Sequence, residues 1–172
     1  MNYYLDIETT GLDPLHAKII TIQYMELERN TAKPTSPLKI LKEWESDEKT
    51  ILKKFISDSG IADGYKFSFI PIGCNLQFEH SFFWQRCISN GLKPIDVLGR
   101  PFLDLKTVAV IMNRGEFKEP VLTILQTNLM VEAIYHNGIK KKNMQRLKVI
   151  SRTKQRNFLV FAPNFTKNYP YY

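Results

Sequence analysis

Two apolar runs near the N-terminus, separated by a turn, set the strongest limit on how this chain can fold. Tyr3 to Ile7 is typical of a short buried strand, and the β-branched residues of Lys18 to Leu27 indicate a second strand. The Gly and Asp-Pro content of Thr9 to Pro14 predicts a turn between them. A loop over Asn30 to Pro37 leads to a third strand at Leu38 to Leu41. The chain is therefore predicted to begin as three antiparallel strands.

Helical and strand patterns alternate after the third strand. Apolar residues recur at helical spacing in several segments, and Gly or short polar residues mark their ends. The order of elements indicates a mixed α/β domain. The predicted elements are a helix from Asp47 to Ser57 with Ser46 as its N-cap, a strand from Phe67 to Ile72, a helix from Phe78 to Asn90 that Gly91 ends, a strand end at Phe102-Leu103, and helices over Leu105 to Met112 and Val121 to Ala133.

Two carboxylates lie close together on the first predicted strand. Asp6 and Glu8 are two residues apart, so their side chains point to the same face. Such a pair is costly unless a cation binds it, and hard carboxylate oxygens suit Mg²⁺ or Mn²⁺. Two such ions, about 3.5–4 Å apart, activate a water molecule and stabilise the leaving oxygen of a phosphodiester. The alternative is a solvated strand end without a ligand.

The residues around these carboxylates resemble the motifs of the DEDD exonuclease superfamily. Asp6-Ile7-Glu8-Thr9-Thr10-Gly11-Leu12 is similar to the first motif of that family. Gly73-Cys74-Asn75-Leu76-Gln77-Phe78-Glu79 resembles the second, Asn-x-x-Phe-Asp, with Glu in place of the final Asp. The order, separation and strand-to-helix placement of the motifs agree with the family. The resemblance implies a ribonuclease H-like fold, with a central mixed five-stranded sheet, its first three strands antiparallel, flanked by helices.

The resemblance also implies roles for individual residues. Asp6 would bridge two divalent cations, Mg²⁺ or Mn²⁺, Glu8 would ligate one of them, and Glu79 would supply a third carboxylate. Glu79 is one methylene longer than the Asp that is usual in the family. The implied substrate contacts are Thr9, Thr10, Gly11 and Leu12 at the 3′-terminal nucleotide, with Leu12 against the base, and Asn75 and Phe78 at the terminal sugar or base. For Phe78 the alternative is a place in the core, and for Asn75 a helix cap.

Several other polar residues are predicted to have structural roles. Asp104 stands at a predicted helix start, and we expect it to be a cap. His16 is predicted to be a loop residue, and His80 a structural residue of a helix. Cys74 and Cys87 are expected to line the core. Two cysteines cannot build a disulfide framework, which indicates a reducing cytoplasm.

The positive charge of the chain is confined to its C-terminal segment. The net charge is +7, yet residues 1–139 hold 15 basic and 17 acidic residues, and the other nine basic residues all lie in 140–172. The body of the chain therefore lacks the composition of a basic nucleic-acid binder. We expect residues 1–139 to form the exonuclease domain and residues 140–172 to be an atypical basic tail.

The third motif of the family, a His or Tyr followed four or five residues later by an Asp, has no match. Tyr135 and His136 are the candidates, but Glu132 is the last acidic residue of the chain. One hypothesis is a one-base slip in the codons of the Lys140 to Lys142 run, which would leave the tail out of frame. The other is a natural basic tail that binds nucleic acid.

The residues and the resemblance together predict a metal-dependent 3′–5′ exonuclease, which hydrolyses phosphodiester bonds at the 3′ end of single-stranded nucleic acid with two metal ions. Since a fourth carboxylate is missing, the alternative is a nuclease-like module that binds nucleic-acid ends without cleaving them. A phosphodiesterase acting on short oligonucleotides is a third class. The chain has no apolar run of about 18 residues, so we expect no membrane span and a cytoplasmic protein.

Overall fold

The computed structural model describes residues 1–112, in which three strands come first and helices and strands alternate after them. None of the helices in the range is long and apolar enough to cross a membrane. The elements are the strands β1 (Asn2–Thr9), β2 (Ile19–Leu27), β3 (Lys39–Lys42), β4 (Ile70–Gly73) and β5 (Leu103–Asp104), the helices α1 (Glu48–Ser59), α2 (Leu76–Ser89) and α3 (Leu105–Met112), and a 3₁₀ turn over Glu43–Glu45.

The five strands form one mixed sheet in the order β3-β2-β1-β4-β5. β1 pairs antiparallel with β2, and β2 with β3, whereas β4 runs parallel to β1 and β5 runs parallel to β4. α1 leads into β4 and α2 leads into β5, because a connection between parallel strands has to carry the chain back to the edge where the next strand starts. The predicted mixed sheet with three antiparallel strands first is confirmed.

Alternate residues of β1 face two different hydrophobic clusters. Leu5 and Ile7 belong to a large cluster on one face of the sheet, to which α1 and α2 contribute residues such as Phe55 and Phe83. Tyr4 belongs to a smaller cluster on the opposite face, where it packs with side chains that include Leu105 of α3. Helices therefore cover both faces, as predicted.

The start of α1 differs from the prediction by one residue. The helix is capped by Asp47, whose carboxylate accepts a hydrogen bond of 2.7 Å from the Thr50 amide, and not by Ser46. The Ser46 amide instead donates to the Glu43 carbonyl and closes the preceding 3₁₀ turn. That turn, which the sequence pattern did not predict, delays the start of the helix.

β4 and α2 also begin at other residues than predicted. The segment before β4 turns back at Tyr65, because the Ser68 amide donates to the Tyr65 carbonyl, so pairing with β1 starts only at Ile70. α2 begins at Leu76, two residues before the predicted start. The predicted helix over Val121 to Ala133 and the predicted domain boundary at residue 139 lie outside the described residues.

Candidate active site

Asp6 and Glu8 lie on the face of β1 that also carries Tyr4, opposite to Leu5 and Ile7. Only 9% of Asp6 and 6% of Glu8 is exposed to solvent, and β1 that carries them is the central strand, with β2 on one side and β4 on the other. Carboxylates are rarely this buried unless charged or hydrogen-bonding groups compensate them. This end of β1 is therefore the first part of the candidate site.

Glu79 joins the same edge of the sheet from α2. It lies in the first turn of the helix and is fully buried. Because β4 runs parallel to β1, the start of α2 lies at the edge where β1 ends. Gly73 permits a close approach of the two segments, since a Cβ at this position would lie 2.6 Å from the Leu5 carbonyl oxygen. The fold thus brings the two predicted motifs together.

The Tyr4 hydroxyl lies within the electrostatic influence of all three carboxylates. Burial raises the pKa of the Tyr4 phenol well above its usual value, and the charges of Asp6, Glu79 and Glu8 raise this pKa further. The three predicted ligands therefore lie within electrostatic range of one buried hydroxyl. Because the raised pKa keeps the phenol protonated, Tyr4 remains a neutral hydrogen-bond donor at physiological pH.

The donor atoms of these residues suit a hard divalent cation. Carboxylate oxygens are the ligands that Mg²⁺ and Mn²⁺ prefer, so the chemistry of Asp6, Glu8 and Glu79 fits the predicted ions. Within residues 1–112, no group of three or more His, Cys, Asp or Glu side chains is arranged to hold a metal ion. The chemistry of the three carboxylates thus fits the predicted ions, whereas the side chains of residues 1–112 do not by themselves form a metal site. Tyr135 and His136, the candidates for the third motif, lie outside those residues.

The start of α2 is fixed by an acidic residue from a neighbouring element. Asp104, at the end of β5, accepts hydrogen bonds of 2.9 Å from the amides of Asn75 and Leu76. It also accepts a 2.9 Å bond from the amide of Lys106, so one carboxylate caps both α2 and α3. The predicted role of Asp104 as a cap is confirmed for α3. Its second role at α2 holds the turn that carries Glu79, and sequence reasoning missed it because the two segments are far apart in the chain.

The two remaining residues of the second motif lie at this helix start. Asn75 occupies the N-cap position of α2 in a left-handed conformation, with φ of 64°, and its side chain makes no capping bond. The Lys106 ammonium instead donates to the Asn75 side-chain oxygen at 3.2 Å. Phe78 is half-buried, and its ring packs 4.7 Å from that of Phe82 at the margin of the large cluster. Asn75 therefore occupies the N-cap position without capping through its side chain, and Phe78 is a partly buried residue at the margin of the core.

The turn after β1 is closed by hydrogen bonds between its two ends. The Thr10 amide donates to the Lys18 carbonyl, and the Lys18 amide donates to the Thr10 hydroxyl, both at 2.9 Å. The Thr9 hydroxyl donates to the Gly11 carbonyl at 2.6 Å. The pairing of β1 with β2 is irregular between Glu8 and Thr9, which is typical of a bulge that redirects side chains at a strand end. Leu12 lies in this turn and is 41% exposed.

A buried ion pair holds the far side of this turn. Arg86 of α2 donates to both carboxylate oxygens of Glu48 of α1, at 2.9 and 2.8 Å. Glu48 also accepts a 2.8 Å bond from the Ile19 amide, and Arg86 donates to the Pro14 carbonyl at 3.4 Å. The pair thus fixes both α-helices relative to the start of β2 and the end of the turn. The sequence pattern placed Glu48 only in the first turn of a helix and missed the pair.

Comparisons with solved structures match exonuclease I. One match is exonuclease I in complex with an inhibitor named BCBP, at a TM-score of 0.52 and 12% sequence identity, covering 67% of this chain and 31% of that one. Another is E. coli exonuclease I in complex with a dA16 oligonucleotide, at a TM-score of 0.53 and 11% identity, covering 65% and 29%. No protein-family model and no curated protein matches the chain.

These matches establish a shared fold. The described sheet and its helices have the ribonuclease H-like arrangement that the sequence motifs implied, and that expectation is confirmed. The chain spans about a third of the length of the exonuclease I chains that it matches. At 11–12% identity the likeness does not extend by itself to substrate or activity.

Proposed function

We propose that this chain is a metal-dependent 3′–5′ exonuclease that acts on the 3′ end of single-stranded nucleic acid. The observation that carries the proposal is the burial of Asp6 and Glu8 at the end of β1 and of Glu79 at the start of α2, at the same edge of the sheet. Buried carboxylates from a strand end and an adjacent helix start are the ligand set from which two-metal phosphodiester hydrolysis is built. The fold shared with exonuclease I supports the same reaction class by analogy.

Asp6, Glu8 and Glu79 would hold the two ions, Mg²⁺ or Mn²⁺. When bound, such ions turn water into a nucleophile at neutral pH and stabilise the charge on the leaving oxygen. The burial of the three carboxylates excludes bulk water and strengthens every charge interaction around them. Asp104, by capping α2, keeps Glu79 at its place beside β1.

The turn and the start of α2 would bind the terminal nucleotide. Leu12 is exposed on a turn whose two ends are joined by hydrogen bonds. It therefore offers an apolar surface to a base from a fixed position. The exposed part of Phe78 and the Asn75 side chain would contact the terminal sugar or base. Matching exonuclease I structures hold single-stranded DNA, dA16 in one and 5cy-dT13 in another, which supports a single strand as the substrate.

The second candidate function is a module that binds nucleic-acid ends without cleaving them. It is favoured by one feature of the sequence, because no acidic residue follows Tyr135 and His136. A site with three carboxylates in place of four would bind the second ion weakly. Hydrolysis and binding therefore have to be measured separately.

The first experiment follows a 5′-labelled single-stranded oligonucleotide incubated with the full chain and Mn²⁺ or Mg²⁺. Products that shorten stepwise from the 3′ end, and that EDTA abolishes, are the expected result. Asp6→Asn should reduce the rate by roughly a hundredfold or more, because one bridging ligand contributes several kcal/mol to the transition state. Asp63→Asn is the matched control, since Asp63 is an exposed carboxylate between α1 and β4.

The outcomes separate the two candidates. If oligonucleotide is bound, as measured by fluorescence anisotropy, but stays uncleaved with either metal, the binding module is the better description. If neither binding nor cleavage occurs, both candidates are wrong. If Asp6→Asn leaves cleavage unchanged, the reaction does not take place at these carboxylates.

A further inference from the structure

Two buried polar side chains of β2 lie opposite Asp6 and Glu8 in the sheet, and the proposed reaction makes no use of them. In the pairing of β1 with β2, Gln23 is opposite Asp6 and Thr21 is opposite Glu8. Directly paired residues of antiparallel strands place their side chains on the same face, with Cβ atoms about 4.5–5.5 Å apart. Gln23 and Thr21 therefore share the face that carries Tyr4, Asp6 and Glu8.

These two side chains are fully buried without compensation. Both are 0% exposed, and within the described part of the chain the Thr21 hydroxyl and both polar atoms of the Gln23 amide lack a hydrogen-bond partner. A buried amide without a partner is destabilising, and most buried polar groups in proteins are paired. Met25, two residues further along the same face of β2, packs in the smaller cluster that contains Tyr4. An aliphatic side chain at position 23 would thus suit the packing and avoid the cost.

We infer that Gln23 is a positioning residue of this site, whose side-chain amide donates to the Asp6 carboxylate once a cation is bound and keeps it in the orientation that binds the cation. The inference rests on the proposed metal-dependent function. A glutamine amide has two N–H donors and one carbonyl acceptor, so it can donate to a carboxylate oxygen and leave the other oxygen to a metal ion. Ligating carboxylates are themselves usually hydrogen-bonded by a second layer of residues, which sets their orientation.

The substitution Gln23→Met separates a positioning role from a packing role, because the two side chains have similar volumes. If Gln23 only filled space, Gln23→Met would change the stability of the metal-free and the metal-bound protein to the same extent. If Gln23 orients Asp6, the same substitution has effects of opposite sign. In the metal-free protein it removes a buried amide without a partner, which is stabilising. In the metal-bound protein it removes the proposed donor to Asp6, which weakens metal binding.

The experiment uses the full chain, stripped of metal with EDTA and dialysed, and Mn²⁺ as the probe. Wild type, Gln23→Met, Asp6→Asn and Tyr24→Phe are compared by thermal unfolding without metal and by Mn²⁺ titration followed by electron paramagnetic resonance. Tyr24→Phe is the matched control, because Tyr24 is on the same strand but faces the large cluster, where its hydroxyl donates to Asp58 at 3.2 Å. No nuclease activity is needed for either measurement.

The expected result for Gln23→Met is a metal-free Tm raised by a few degrees together with Mn²⁺ affinity lowered by about tenfold to a hundredfold. Tyr24→Phe should leave the affinity unchanged. A Gln23→Met protein that binds Mn²⁺ as tightly as wild type would overturn the inference while leaving the proposed function intact. A fall in both Tm and affinity would mark Gln23 as a structural residue and overturn it too. Wild type that binds no Mn²⁺ would refute the proposed function and, with it, the role of Gln23.

Discussion

Arg86 and Glu48 are joined by two parallel hydrogen bonds, from Nε to Oε1 at 2.9 Å and from Nη2 to Oε2 at 2.8 Å, across the interface of α1 and α2. Their side chains are only 11% and 6% exposed. Asn90 adds a third donor to the Glu48 carboxylate at 3.0 Å. This geometry satisfies a buried carboxylate almost completely, which is the condition under which a buried ion pair is tolerated.

Removing one partner of this pair should destabilise the protein strongly. Arg86→Met leaves the Glu48 carboxylate buried without its main donor, and we expect the free energy of unfolding in urea to fall by about 3–5 kcal/mol. Replacing both residues, Arg86→Met with Glu48→Leu, should restore part of that loss because no buried charge remains. Lys54→Met, which breaks the exposed pair with Asp58 at 3.4 Å, is the control and should change stability by less than about 1 kcal/mol. Equal effects of Arg86→Met and Lys54→Met would contradict the burial argument.

The same pair predicts a dependence of stability on acid pH. Burial raises the pKa of the Glu48 carboxyl, but the hydrogen bonds from Arg86, Ile19 and Asn90 outweigh burial and hold the pKa below its ordinary value of 4.5. A group with a lowered pKa in the folded state contributes stability above its unfolded-state pKa and loses it as the pH falls through the folded-state pKa. The stability difference between wild type and Glu48→Gln should therefore be constant above about pH 5 and shrink as the pH falls below 4.5. The measurement is the free energy of unfolding in urea at each pH. A stability difference that stays constant down to pH 3 would refute the lowered pKa of Glu48 in the folded state.

Asp104 should contribute more to stability than an ordinary helix cap. Its carboxylate accepts from the amides of Asn75, Leu76 and Lys106, whereas the Asp47 carboxylate accepts from Thr50 at the start of α1. A single cap contributes about 1 kcal/mol, so we expect Asp47→Ala to cost about that amount and Asp104→Ala about twice as much. Chemical denaturation of both variants measures the ratio. Similar losses would show that capping of α2 by Asp104 adds nothing.

Gly73 is required by the close approach of β4 to β1. A Cβ added there would lie 2.6 Å from the Leu5 carbonyl oxygen and 2.7 Å from Leu76 Cδ2, so a backbone shift has to accompany it. Gly73→Ala should lower the free energy of unfolding by about 1–3 kcal/mol. At Gly64, an added Cβ meets no atom within 4 Å, and Gly64→Ala should stay within about 0.5 kcal/mol of wild type. If the two alanine variants unfold at the same urea concentration, the close contact at Gly73 does not determine the stability of the Gly73→Ala variant.

Much of the fold could be predicted because its signals are local. The apolar runs of β1 and β2 and the helical period of α1 are readable within about ten residues, and α3 begins where its pattern indicates. The paired carboxylates Asp6 and Glu8 could likewise be placed on one face from their spacing alone. Their position beside Glu79 required the resemblance to a known family, because the two segments are some 70 residues apart.

The interactions that position the site could not be predicted because they are not local. Glu48 meets Arg86 across 38 residues, and Asp104 meets Leu76 across 28. Neither pair has a spacing that marks it, since many acids and bases of the chain are equally far apart. The placement of Gln23 opposite Asp6 depends on the register of β1 against β2, which is constant from Asn2 to Glu8 and shifts only between Glu8 and Thr9. Such contacts become visible only once the sheet is assembled.

The exposed apolar residues of the turn after β1 permit a direct test of substrate contact. Leu12 and Leu15 lie in the same turn and are 41% and 62% exposed, so neither contributes much to the core. If Leu12 packs against the terminal base, Leu12→Ala should lower kcat/KM on a single-stranded oligonucleotide by about tenfold, the equivalent of about 1.4 kcal/mol of lost apolar contact. Leu15→Ala removes the same atoms three residues away and should leave kcat/KM unchanged. Both variants should unfold within about 0.5 kcal/mol of wild type, because surface truncations have small effects on stability. Equal losses of kcat/KM in the two variants would mean that the turn acts as a general apolar surface, and that Leu12 has no specific contact with the base.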